Sequence, residues 1–130
     1  DGYIFINGRK KNLIVSSGGK NIYPEEIESH FGTSRVIAEI LVLGKKEANY
    51  GGEQIFAVIV PNFENLTTDF PDRELDDAFL KSLIKKEIEE VNRHLPSYKK
   101  IDDFTLRREA FEKNAQQKIR RFLYKNYTNY

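Results

Sequence analysis

The sequence contains no cysteine, no methionine and only two histidines. Without cysteine there can be no disulfide and no thiolate metal site, and two isolated histidines argue against zinc, so no metal ligand set is expected. Long hydrophobic runs are missing as well. No stretch approaches the roughly 18 apolar residues that a membrane-spanning helix needs, and no signal peptide can be read. Net charge is only +1, so wholesale binding to polyanions is not implied. The chain opens on "DGYIFING", with no methionine, leader or cap, and reads as a piece cut from a longer protein.

What is present suits a single domain. Apolar residues make up 39% of the 130 positions and aromatics 12%, enough for a modest core rather than a disordered tail. Charge is segregated although it nearly cancels. Acids dominate residues 64–91 and bases dominate residues 107–125, so the basic ends could share one face if the fold brings them together. "YIFI" (Tyr3–Ile6) and "NLIV" (Asn12–Val15) flank Asn7-Gly8 and predict a hairpin. Pro24 followed by "EEIESHF" predicts a helix that stops at Gly32. The β-branched runs Arg35–Gly44 and Glu53–Pro61 predict a central antiparallel pair. Asp72 is the expected N-cap of a long helix with Leu75, Phe79, Leu83, Ile84, Ile88, Val91 and Leu95 on its apolar stripe, ended by Pro96. Ile101–Arg107 reads as a third strand, and "KIRRFLY" as a closing helix with Ile119, Phe122 and Leu123 on one face. The expected class is α+β: an N-terminal β-hairpin, then a small, mainly antiparallel sheet with helices packed against it.

Three features invite a chemical reading, and each has a plainer one. "GRKK" and "KIRR" could contact nucleic-acid phosphates, but short cationic clusters are more often solvated loops, and no nucleic-acid-binding motif accompanies them. "SSGGKN" lacks the first glycine and the final hydroxyl of a P-loop. Its two glycines suit a tight turn between strand and helix, although backbone amides without a Cβ could also approach a ligand closely. His30 and His94 each fall near a helix end, where the dipole favours an imidazole, and no spacing marks a catalytic triad.

Taken in order, however, "DGYIFINGRKKNLIVSSGGKNIYPEEIE", "LPSYKKIDDFTL" and "KNAQQKIRR" closely resemble the C-terminal lid domain of acyl-adenylate-forming enzymes. The nearest likeness is to the AMP-forming long-chain fatty acyl-CoA synthetases, and it covers essentially the whole chain. Ala115-Gln116-Gln117 stand where family members commonly carry a glycine or a "TPTL"-type run before the final lysine. The resemblance implies a lid that closes over a large N-terminal adenylation domain of the same chain in two orientations. A carboxylate first attacks the α-phosphate of ATP to give acyl-adenylate, and the thiol of CoA then displaces AMP. It implies Lys118 as the catalytic lysine of adenylation, Arg9 near the nucleotide ribose and phosphate, and Lys11 as the hinge. Gly18, Gly19, Lys20 and Asn21 would line the pantetheine tunnel.

Residues 1–15 would then be the hinge hairpin, 16–107 the α+β core, and 108–130 the catalytic-lysine loop with its C-terminal helix. Fatty acid, ATP and CoA are the implied small molecules, with Mg²⁺ brought by ATP and held mainly by the N-terminal domain. A cytoplasmic location is expected, with peripheral membrane association of the full-length enzyme, and the fragment alone should be inactive. The alternatives are a lid whose acceptor is a carrier protein or whose adenylate has a luciferase-like fate, and a non-enzymatic nucleic-acid or protein-binding module.

Overall fold

The fold is laid down in chain order, starting from a short hairpin. The computed structural model describes residues 13–16, 18–46 and 52–113. Ile14–Val15 (β1) pairs antiparallel with Asn21–Ile22 (β2), and Pro24 opens the helix Pro24–Ser29 (α1). Ile37–Lys46 (β3) and Glu53–Pro61 (β4) follow as an antiparallel pair. The helices Phe63–Asp69 (α2) and Asp77–Asn92 (α3) carry the chain to Asp103–Leu106 (β5). β5 lies parallel to β4, giving the sheet order β3-β4-β5. A parallel neighbour requires a crossover connection, which α2 and α3 supply. The α+β class expected from the sequence is the class observed.

Period-two alternation sorts the two central strands into two apolar faces. Ile40, Val42, Ile55, Ala57 and Ile59 face a core completed by Ile14 and Ile22 of the hairpin, Ile27 of α1, and Ile84 and Ile88 of α3. Leu41, Phe56, Val58 and Val60 face the other way and pack with Phe111. β4 is therefore buried on both sides from Ile55 to Pro61, which is why it reads as an unbroken apolar run.

Several expectations require correction. The glycine loop does not join a strand to a helix; it closes the β1–β2 hairpin. Asn21-Ile22 is too short to leave a strand pattern. The Tyr3–Ile6 strand, its Asn7-Gly8 turn and the "KIRRFLY" helix lie outside the described residues. Helix α1 closes at Ser29, and turns carry the chain past Gly32. Helix α2 was not anticipated, because Leu66 is its buried residue and its threonines are weak helix formers. Its signal was Asn62, whose side chain accepts from the Asn65 amide at 3.0 Å.

Helix α3 is capped by Asp76, not Asp72: Asp76 Oδ1 accepts from the Phe79 amide at 2.9 Å. Leu75 consequently precedes the helix, and its buried stripe is Leu80, Ile84 and Ile88. Phe79 instead meets Phe70 edge-on, with centroids 5.1 Å apart, and Arg73 sits 3.9 Å over its ring. These contacts hold residues 70–76 as a turn rather than as helix.

Side chains tie the elements together where the backbone does not. Glu28 of α1 accepts from the Val42 amide at 2.7 Å, covering the outer edge of β3. Asn92 at the end of α3 both donates to the Ile101 carbonyl and accepts from its amide. Arg35 holds Asp69 with two hydrogen bonds, of 2.7 and 2.9 Å. That hydrogen bonding keeps the Asp69 carboxyl below its ordinary value. The link is therefore present above the unfolded carboxylate range and lost as pH falls through the lowered folded value.

The cap assignment can be checked directly by urea denaturation of the 130-residue chain. Asp76→Ala should cost about 0.5–2 kcal/mol. Asp72→Ala should stay within about 0.5 kcal/mol of the parent. Equal losses at the two positions would overturn the assignment.

Candidate functional site at the glycine turn

The β1–β2 register sets Ile14 opposite Ile22 and Val15 opposite Asn21, so the two isoleucines enter the core together and the turn projects beyond the sheet. Ser16 organises that turn. Its amide donates to the Lys20 carbonyl at 3.0 Å, and its carbonyl accepts from the Gly19 amide at 2.9 Å. Its hydroxyl oxygen accepts from the Lys20 amide at 3.1 Å. Gly19 has φ of +81°, a conformation that costs an L-residue with a Cβ about 1–2 kcal/mol.

The glycines do not answer to crowding within this chain. A Cβ on Gly19 would meet no atom within 4 Å, and one on Gly18 would only touch the Ser16 hydroxyl at 4.0 Å. Backbone geometry alone accounts for Gly19. Gly18 has no such internal need, so the turn is a bare, exposed ledge of backbone.

The hairpin is fastened from beneath. Glu53 Oε1 accepts from the Val15 amide at 3.1 Å. Gly44 makes room for this contact, because a Cβ there would stand 2.5 Å from Glu53 Oε2 and 3.1 Å from Ile14 Cγ1. Two residues distant in sequence from the hairpin thus set the position of the ledge.

The connection from α3 to β5 completes the site. Pro96 leads into a 3₁₀ turn, Ser97–Lys99, which brings Tyr98 beside the hairpin. The Lys20 ammonium lies 5.8 Å from the Tyr98 ring centroid, and the Lys99 ammonium lies at the same distance, both within cation–π range. Lys99 also pairs with Glu26 of α1 at 3.3 Å. Tyr98 is 37% exposed, so the aromatic face is open to a partner. The arrangement offers bare backbone, two ammonium groups and an exposed ring, which suits a slender ligand carrying negative charge and an aromatic group.

Of the residues singled out in the sequence, Gly18, Gly19, Lys20 and Asn21 come together in this one turn. Arg9, Lys11 and Lys118 lie outside the described residues. Ser16, Glu53, Gly44, Tyr98 and Lys99 received no role from the sequence. "LPSYKK" did stand out as a motif, but only the fold places it against the turn. His30 and His94 are exposed at helix ends, with His94 3.8 Å from Glu90. Among the described residues, no three histidines, aspartates or glutamates are grouped to hold a metal ion.

This geometry can be set beside known proteins. Residues 11–129 match the model of the AMP-binding enzyme C-terminal domain. The chain belongs to that family. The indoleacetate–CoA ligase of Aromatoleum aromaticum is 48% identical over 69 residues, 53% of this chain and 13% of that protein. The chloroplastic long-chain-fatty-acid–[acyl-carrier-protein] ligase of Arabidopsis thaliana is 39% identical over 87 residues, 67% of this chain and 11% of that one. Among solved structures, a fatty acyl CoA synthetase of Mycobacterium tuberculosis superposes with a TM-score of 0.64 at 27% identity, over 97% of this chain and 21% of that one. The chain thus spans about an eighth of the curated relatives it matches.

The two glycines should separate on substitution. Gly19→Ala should cost about 1–2 kcal/mol in urea denaturation, since the left-handed backbone is strained by any Cβ. Gly18→Ala should leave stability within about 0.5 kcal/mol. A neutral Gly19→Ala would contradict the turn geometry.

Proposed function

We propose that this chain is the C-terminal lid of an ATP-dependent, AMP-forming acyl-CoA ligase acting on a long-chain fatty acid. The observation that carries the reading is the glycine ledge: exposed backbone with no side chain, beside Lys20 and the open Tyr98 ring, in a chain of this family. An extended pantetheine arm needs a wall of that kind, and the nucleotide end of CoA is both aromatic and polyanionic. The long-chain assignment rests on the sequence resemblance and on relatives named for long-chain acids. The pocket for the acid would lie in the N-terminal adenylation domain. A carrier-protein acceptor is the second reading, favoured by the Arabidopsis relative, whose name specifies an acyl carrier protein.

In this reading the chemistry proceeds in two steps. A carboxylate oxygen attacks the α-phosphate of ATP, the bond to pyrophosphate breaks, and acyl-adenylate forms. The Lys118 ammonium would bridge the two anions and offset charge that builds in the transition state, a contribution of position and electrostatics. Arg9 would approach ribose and phosphate. The lid would then turn about Lys11 and bring Gly18, Gly19, Lys20 and Asn21 to the incoming thiol. The CoA sulfur attacks the acyl carbon, and AMP leaves. Mg²⁺ entering with ATP would neutralise phosphate charge and take its protein ligands from the N-terminal domain. A cytoplasmic setting with peripheral membrane association fits a soluble nucleotide and an apolar acid.

The half-reactions should come apart in the full-length enzyme. Lys118→Ala should slow adenylation by about 10²–10³-fold while still turning preformed acyl-AMP and CoA into thioester. Gly19→Leu should do the opposite, because its side chain would fill the ledge. Lys11→Pro, which fixes φ at the hinge, should spare adenylation more than thioester formation. Pyrophosphate exchange and thioester formation, measured separately, decide the matter. Equal slowing of both steps by Lys118→Ala would overturn the two-orientation reading.

A further inference from the structure

The last described residues are pinned to the sheet and to the start of α3 at more points than strand β5 needs. The Arg107 amide donates to the Ile59 carbonyl at 2.8 Å, prolonging the parallel pairing, and the Arg107 guanidinium lies 5.5 Å over Phe111. Arg108 pairs with Asp77 at the start of α3 at 2.7 Å and donates to the Leu75 carbonyl at 3.2 Å. Phe111 is buried against Leu41, Phe56, Val58 and Val60, on the sheet face away from α3. The Lys113 ammonium then donates to the Phe111 carbonyl at 3.3 Å and forms an ion pair with Glu39 of β3. That carboxylate is poorly hydrated: the Glu39 side chain is only 16% exposed, and Lys113 30%.

An ion pair withdrawn from water is a weak stabiliser, since desolvation offsets most of the attraction; its better-attested use is to fix a register. What this pair fixes is the chain five residues before Lys118. A tether of that length reaches at most about 17 Å, so anchoring Lys113 limits the volume the Lys118 ammonium can search. We propose that Glu39 and Lys113 are positioning residues for adenylation, holding the stem of the Lys118 segment against β3. The proposal rests on the ligase reading given above. Glu39 acts through Lys113 and touches no substrate. Phe111 supplies the apolar half of the same anchor, and the ion pair supplies its register along the strand.

The test uses the full-length enzyme with Glu39→Gln, Lys113→Met, their double variant, and Lys113→Arg. Acid-dependent ATP–pyrophosphate exchange reads adenylation, preformed acyl-AMP with CoA reads thioester formation, and thermal melting reads the fold. Glu39→Gln and Lys113→Met should each reduce exchange by about 10- to 100-fold, the scale of a displaced catalytic group, and leave thioester formation unchanged. The double variant should be no slower than either single one, because both remove the same link. Lys113→Arg, which keeps the charge, should retain most of the exchange. Should Lys113→Met melt before either step can be measured, Glu39→Gln and Lys113→Arg preserve shape and hydrogen bonding and decide alone. Unchanged exchange in Glu39→Gln, or parallel loss of both half-reactions with melting temperature, would overturn the proposal alone. Absence of exchange in the unmodified enzyme would overturn the ligase reading, and this proposal with it.

Discussion

Burial of β4 on both faces is the constraint from which the other placements follow. From Ile55 to Pro61 the strand is buried, and backbone groups so buried must be hydrogen-bonded. It therefore needs a partner on each edge, which β3 and β5 provide. It also needs an apolar cover on each face. Helices α1 and α3 with the β1–β2 hairpin cover one, and Phe111 packs on the other. The glycine turn is consequently an extension of one cover, and Phe111 belongs to the other. Packing on the two faces of β4 thus sets where the turn and Phe111 lie.

Ionic contacts refine these placements and add little net stability. Exposed pairs contribute little because solvent screens them, so Arg35–Asp69, Lys99–Glu26 and Arg108–Asp77 matter chiefly for what they position. The charge segregation read from the sequence acquires a structural meaning here. Arg108 of the basic segment and Asp77 of the acidic one are joined across the start of α3, and Arg107 lies over Phe111. These cations are engaged inside the domain. Lys20 and Lys99, which come from neither segment, flank the exposed Tyr98 ring instead.

Long, strongly patterned segments were legible in the sequence, and short or competing ones were not. Glu53–Pro61 was read with the same ends that β4 has, because β-branched runs bounded by Gly and Pro leave few alternatives. β3 was recognised but begins at Ile37, since the Ser34 hydroxyl accepts from the amides of Val36 and Ile37 and delays the ladder. In "DRELDD" two aspartates compete as caps four residues apart, and the Phe70–Phe79 contact decides between them. A helix begun at Asp72 has a different stripe, one that omits Leu80. At the site, the glycine turn could be read because glycine itself is the signal. Tyr98 and Lys99 could not be placed there, since only the return of the chain from α3 brings them to Lys20. Glu39 carries no sequence mark at all; its partner is 74 residues away along the chain.

The arrangement of the two faces bears on how one small domain could serve two reactions. The glycine turn grows from a hairpin whose isoleucines sit in the core with α1 and α3. Phe111 packs on the opposite face, and Lys113 pairs with Glu39 of β3. With the sheet between them, presenting one of these faces to a fixed active site turns the other away. A lid that had to bring both to the same substrate would have to rotate as a body, because the close-packed sheet between them does not deform cheaply. Under the proposed ligase reading, with Lys11 as the proposed hinge, such a rotation would require the sheet and its covers to stay rigid. The Glu53–Val15, Glu28–Val42 and Glu39–Lys113 contacts clamp the hairpin, α1 and Lys113 to the central strands. The same carboxylates that leave little trace in the sequence pattern would thus be what lets a hinge motion deliver each face in register.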